Sequence, residues 1–164
     1  MQKFPKSIEN LDLEPIMVKI MDKEEGLGWD LEYTSIIANE YRKFLTLCLE
    51  NKDDDIVPCG DVDKFWHYHI LDTLKYAEDC DAIFGSFLHH FPYFGMRGEQ
   101  DLKNLKTAFG NTCNTYTKRF GEPISLIKDD AWNTIARCPK CGRRSPANSD
   151  TYQMERPKLK TIAA

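Results

Sequence analysis

The sequence predicts an all-α fold, and three observations predict it. Apolar residues recur at helical spacing in four stretches. No stretch sustains the alternation of a half-buried strand, and glycines close the stretches at Gly26–Gly28, Gly85 and Gly121. The 164 residues are enough for a real core without disulfide or metal staples. The expected architecture is a single domain of about four main helices packed around the third, with a C-terminal Cys-x2-Cys knuckle. The expected boundaries are 1–146 for the helical domain, with the knuckle near 138–141, and 147–164 for a loosely ordered tail.

After a lead-in containing Pro5, the residues Leu11, Leu13, Ile16, Met17 and Ile20 predict a first helix from Ile8 to about Lys23. Glu24-Glu25-Gly26-Leu27-Gly28 ends it, with glycine at the C-cap. Asp30 caps a second helix, whose apolar stripe runs through Tyr33, Ile36, Ile37, Tyr41, Phe44 and Leu45. Tyr33, Tyr41, Phe44 and Cys48 read as core groups, and Asn51–Asp55 as a solvated acidic loop. Pro58-Cys59-Gly60-Asp61 is a turn from which Asp61 or Asp63 caps the third helix. That helix is expected to continue to about Ala82, because no glycine or proline interrupts it. Phe84-Gly85 breaks the chain, and Phe91–Gly95 reads as an ordered aromatic loop. The fourth helix runs from about Glu99 to Phe120 and stops at Gly121-Glu122-Pro123. A short segment, Ala131–Ala136, leads into Cys138-Pro139-Lys140-Cys141-Gly142.

Charge and composition narrow the function. The net charge of −4 implies no general affinity for nucleic acid or anionic membranes. No apolar run reaches the roughly 20 residues of a membrane span, and MQKFPKSIEN has no signal-peptide core. The expected location is the cytoplasm. In that compartment the six cysteines read as free thiols and metal ligands rather than disulfides.

All four histidines, His67, His69, His89 and His90, lie between Val57 and Gly98, among Asp61, Asp63, Asp72, Asp79 and Cys80. This clustering is the main functional signal, and it suggests a metal site. The stretch PxxDVDxFWHxHILDTxKYAEDCxxIFGxFLHHFPYFGMRGExD resembles the bacterial branch of the glycine-rich domain-containing protein-like family. The resemblance is dense from Pro58 to Phe120, with an echo in the GW…YxxFL part of the second helix. Longer plant relatives share a shorter WHxH…Y…DC version. The glycine-rich tail that names the family is not in these residues, and CPKCG stands outside the shared pattern. The resemblance implies a fold unit rather than an activity.

The chemistry has to be read from spacing. On a helix, His67 and His69 stand about 200° apart, so both reach one ion only if the Trp66–His69 turn is distorted. Asp63 pairs with His67 at i,i+4, and His69 with Asp72 at i,i+3. Neutral imidazoles with a carboxylate suit a transition metal, zinc or iron first. The expected ligands are drawn from His67, His69, His89, His90, Asp63 and Asp72, as two or three histidines with one aspartate. Alanine at His69 is expected to release the ion and to cost stability, since an ion bound to the folded state stabilises it. The absence of HExxH excludes a zincin. Cys138 and Cys141 supply half of a thiolate zinc site, which Cys59, Cys80, Cys113 or a second subunit's knuckle would complete. A redox pair and two idle thiols are the alternatives there.

Other catalytic patterns are weak. Ser86, His89 and Asp79 form a triad by residue type alone, and Cys80 reads as a buried thiol or ligand rather than a nucleophile. Arg97 is suited to a substrate anion, and equally to capping a neighbouring carbonyl.

Two functions follow. One is a metal-dependent enzyme of unresolved reaction, with Asp79 or Glu78 as base and Tyr93 near the pocket mouth. The other is a non-catalytic domain in which the metal and the aromatic loop build a surface for a peptide or protein. The balance leans to the enzyme, with no nucleic-acid or membrane partner.

Overall fold

Pro15 divides what the periodicity reads as one helix. A proline inside a helix removes a hydrogen bond and clashes with the preceding turn, at a cost of about 3 kcal/mol. In the first turn it costs little. The computed structural model, which describes residues 4–124 and Arg156, accordingly has two helices here. These are α1, Lys6–Glu9, and α2, Glu14–Met21, with Pro15 in the first turn of α2. Asp12 Oδ1 accepts from the Glu14 amide at 3.0 Å. The helix also stops earlier than Lys23. Asp22 accepts from the amides of Glu24 and Glu25, and Gly28 adopts φ +63° one turn later.

The next element agrees with its sequence signals. α3 spans Leu31–Glu50, and the Tyr33 amide donates to Asp30 Oδ1 at 2.7 Å, the expected cap. Tyr41, Phe44 and Cys48 are buried, whereas Tyr33 is half-buried and donates its hydroxyl to Asp61 Oδ2 at 2.6 Å.

The expected third helix is in fact two. α4 covers Gly60–Leu71 and α5 covers Thr73–Phe84, divided at Asp72, whose ψ of 76° leaves the helical region. No glycine or proline is needed for this break. A short carboxylate competes with the helical backbone for amide donors, and Asp72 accepts from the Lys75 amide as the N-cap of α5. Neither Asp61 nor Asp63 caps α4. The cap position belongs to Cys59, and both aspartates lie in the first turn. Gly85 closes α5 in the left-handed region at φ +66°.

The described residues are all-α, with no β-strand among them, and they fall into two compact units. Among the described residues, the first unit joins 4–50 to Cys59–Leu88. In it, α3 packs against α1, α2 and α4, while α4 also packs on α2 and α5. Its core holds Ile8, Ile20, Ile37, Tyr41, Phe65 and Trp66, none more than 1% exposed. Tyr41 lies 5.1 Å from Phe65 and Phe44 lies 5.0 Å from Trp66, ring centre to ring centre.

Among the described residues, the second unit joins Asn51–Pro58 to 89–124. Its helix, α6, runs from Glu99 to Phe120 and ends at Gly121 in the left-handed region, as the sequence predicts. The Val57 amide donates to Thr112 Oγ1 at 3.0 Å, which ties the 51–58 strap to α6. Asp101 fastens the aromatic loop. It accepts from the amides of Gly95 and Arg97 and from the Arg97 guanidinium. Arg97 is thus engaged by a carboxylate of its own unit. Ala131–Ala136, the Cys138/Cys141 knuckle and the tail lie outside the described residues.

Candidate metal centre on α4

Asp63 and His67 stand one turn apart on the same face of α4. Asp63 is 1% exposed, the His67 side chain is 39% exposed, and His67 Nε2 lies 3.4 Å from Asp63 Oδ2. An acidic residue in the first turn of a helix is favoured by the backbone dipole, which suits Asp63 to its place in α4. The i,i+4 pairing read from the sequence is therefore present. It presents an oxygen ligand beside a nitrogen ligand.

His69 faces elsewhere. It is 2% exposed; its Nδ1 lies 2.8 Å from the Tyr41 hydroxyl, and its Nε2 lies 2.9 Å from Asp79 Oδ2. The neutral tautomer that fits donates from Nε2–H to Asp79 and accepts at Nδ1 from Tyr41. Burial pushes the imidazole pKa below its ordinary value, with Asp79 pulling the other way, so the ring is neutral at pH 7. The expected His69–Asp72 pair is absent because the break at Asp72 redirects α5. That redirection brings Asp79, ten residues on, to His69 instead. Asp79 also accepts Lys75 Nζ at 3.0 Å.

The remaining groups separate by exposure. Glu78, Asp72, Ser86 and His89 are exposed, while His90 and Tyr93 are half-buried in the second unit. Cys80 is buried and burial raises its thiol pKa, so it is no thiolate nucleophile at neutral pH. Cys59 behaves alike, with its thiol pushed up to about 12 by burial. Around His69 the Tyr76 hydroxyl donates to the Leu88 carbonyl at 2.5 Å and accepts from Trp66 Nε1 at 2.9 Å. Helical spacing from His69 through Asp72 reaches Tyr76, Asp79 and Cys80, but Tyr41, 28 residues from His69, was not legible from spacing. The one sequence signal of the α4–α5 break was Asp72, a good N-cap residue standing before Thr73-Leu74-Lys75.

Comparison with known proteins fits this fold unit. The UCP032817-like family model matches residues 5–131. The chain belongs to that family. It is also 33% identical to glycine-rich domain-containing protein 1 of Arabidopsis thaliana, over an alignment of 146 residues covering 73% of this chain. The chain spans 18% of that relative's length. No solved structure matches it. Among the described residues, no helix is long and apolar enough to cross a membrane.

Proposed function

We propose that this protein binds a transition-metal ion through Asp63, His67 and His90, each giving one ligand atom. The observation that carries the reading is the 3.4 Å separation of Asp63 Oδ2 and His67 Nε2. Two atoms bound to one tetrahedral zinc at about 2.0–2.2 Å stand about 3.3–3.6 Å apart, whereas an N–H···O hydrogen bond has its mode near 2.9 Å. Of the two histidines in the second unit, His90 is half-buried and His89 exposed, which favours His90 as the third ligand. One carboxylate with two imidazoles suits zinc or iron(II).

With three ligands among the described residues, a fourth coordination position would be open to water, which favours a metal-dependent enzyme over a structural site. The ion would supply Lewis acidity and lower the pKa of a bound water. Asp63, buried in the first helical turn, would hold its charge toward the ion and fix its place. Glu78, exposed on α5, and Tyr93 remain proposed proton-transfer groups. Asp79 accepts from His69 and Lys75, so its proposed role as base would compete with those two bonds. The Cys138/Cys141 pair is proposed as a second, thiolate zinc site, with the knuckle as a route to oligomers.

A second reading has its own observation. Leu71 and Leu74, beside the α4–α5 break, are 72% and 79% exposed, which suits a domain that docks a peptide or protein. Metal analysis of the purified chain and its variants tests the first reading. Expected is a metal equivalent lost in His67→Ala and in His90→Ala but kept in His89→Ala. Unchanged metal content in both of the first two variants would refute it. Cobalt substitution separates enzyme from module: azide shifts the visible spectrum of an ion with an open position and leaves a saturated one unchanged.

A further inference from the structure

The second unit contains a cavity of about 550 Å³ between the 51–58 strap and one side of α6. A single ion needs far less room, and the volume is that of a small-molecule site, about 300–1,000 Å³. Its lining is unlike the mainly apolar wall of such sites. The strap contributes Asp53, Asp54 and Asp55, and α6 contributes carboxamides and hydroxyls such as Asn104, Asn111 and Thr115. Those residues recur at helical spacing beside the stripe of Leu105, Phe109 and Tyr116 that α6 buries. Thus α6 has two stripes, one packed into the core and one polar and largely exposed, and the polar one lines the cavity together with the carboxylates of the strap.

Among the described residues, no lysine or arginine lines the cavity. Its two apolar surfaces are Ile56 and Ala108. Thr112 is already used, accepting from the Val57 amide and donating to the Ala108 carbonyl, so it holds the wall rather than greeting a ligand. The remaining lining offers negative charge, several hydrogen-bond acceptors and short apolar stretches. The complementary ligand carries several ammonium groups joined by methylenes.

We propose that this cavity binds a linear organic polycation of the oligoamine class. Ammonium groups pair with Asp53, Asp54 and Asp55 and with the carboxamide oxygens, while the methylenes lie on Ile56 and Ala108. This site is independent of the proposed metal centre, since it uses none of the histidines.

The test is calorimetric titration of the full chain with spermidine, and separately with magnesium and calcium, in physiological salt. Expected is saturable spermidine binding, with chemical-shift changes at Asn104, Thr107 and Asn111. The double variant Asp53→Asn/Asp54→Asn should weaken it at least tenfold. Both aspartates are exposed, so the fold survives the change, which circular dichroism checks. Asn111→Lys places a resident ammonium in the cavity and should also abolish binding. His67→Ala should leave it unchanged. The proposal is overturned by the absence of saturable binding, by binding that survives both variants, or by magnesium or calcium shifting the same residues at equal or lower concentration.

Discussion

His69 Nε2 lies 2.9 Å from Asp79 Oδ2, across the break that separates α4 from α5. With Tyr41 on its other nitrogen, the imidazole joins α3, α4 and α5. A buried residue that satisfies both ring nitrogens within the protein is a structural group, so its removal should be felt in folding and not in ion binding. His69→Ala would leave the Tyr41 hydroxyl and the Asp79 carboxylate without this partner. Asp79 keeps Lys75, while the Tyr41 hydroxyl is fully buried, and an unsatisfied buried group costs about 1–3 kcal/mol before any cavity cost. Urea unfolding should show the loss, and metal content should stay at the wild-type value. For the metal, this reverses the outcome expected from the sequence, where His69 was read as a ligand and its loss was expected to release the ion as well as cost stability. Loss of the metal together with stability would restore the sequence reading.

A second outcome concerns Glu40 and Lys43 on α3. Their side chains are only 6% and 4% exposed, and they form an ion pair at 2.8 Å. Breaking a buried pair strands a charge and costs about 3–5 kcal/mol, whereas replacing both partners by neutral groups of similar size can be close to neutral. Lys43→Ala should therefore destabilise strongly, and Glu40→Gln/Lys43→Met should recover most of that loss. A double-mutant cycle in urea measures it, and additive effects of the two changes would count against coupling.

Acid sensitivity should come in part from Asp101. Burial alone would raise its pKa. The hydrogen bonds from the Arg97 side chain and from the Arg97 and Gly95 amides outweigh that, and hold it below its ordinary 3.8. A folded pKa below the unfolded one means that the unfolded chain binds the proton more readily. The stabilisation is thus full above the unfolded value and is lost as pH falls through the folded one. Between about pH 5 and pH 3 the wild-type protein should lose stability more steeply than Asp101→Asn. The variant should be the less stable of the two at pH 7. Parallel stability–pH curves would exclude this role.

The fold was legible where a local signal settles an element. Asp30 fixed the start of α3, and Gly121 fixed the end of α6, because cap chemistry acts within one turn. It was illegible at Pro15 and Asp72, where apolar periodicity continues across a backbone break. The site shows the same division. Asp63 and His67 share a helix, so their i,i+4 spacing was enough to pair them. Spacing put Asp79 on the stripe of His69, but their direct contact needs the break at Asp72, and Tyr41 reaches His69 only through packing of α3 against α4, which no spacing within one segment encodes. The Asn and Thr stripe of α6 was present in the sequence at helical period. It carried no meaning until the strap was seen to face it.

The cap at Asp72 can be tested directly. Replacing an N-cap aspartate by alanine costs about 0.5–2 kcal/mol. The Lys75 amide bond is 3.3 Å, a long one, so the lower half of that range is expected for Asp72→Ala. Because Asp72 is exposed, the change leaves no buried cavity. Thermal unfolding should record a small loss. A gain in stability would mean that α4 and α5 prefer to fuse into the single helix that the apolar pattern suggests.

Asp63 offers the sharpest separation of a metal ligand from a structural acid. Its carboxylate is 1% exposed, and a buried carboxylate carries a desolvation cost that a neutral amide of the same shape largely avoids. Asp63→Asn should therefore leave the metal-free protein as stable as wild type or more so. An ion that binds only the folded state adds RT ln(1 + [M]/Kd), about 2.7 kcal/mol at a hundredfold excess over Kd. Wild type should accordingly gain stability when zinc or iron(II) is added to the stripped protein, and Asp63→Asn should gain much less. If Asp63 instead serves only to hold His67, the variant should lose stability without metal, and added metal should change neither protein. Melting curves of the two chelator-treated proteins, with and without added ion, distinguish these cases, because the two roles move the metal-free midpoint in opposite directions.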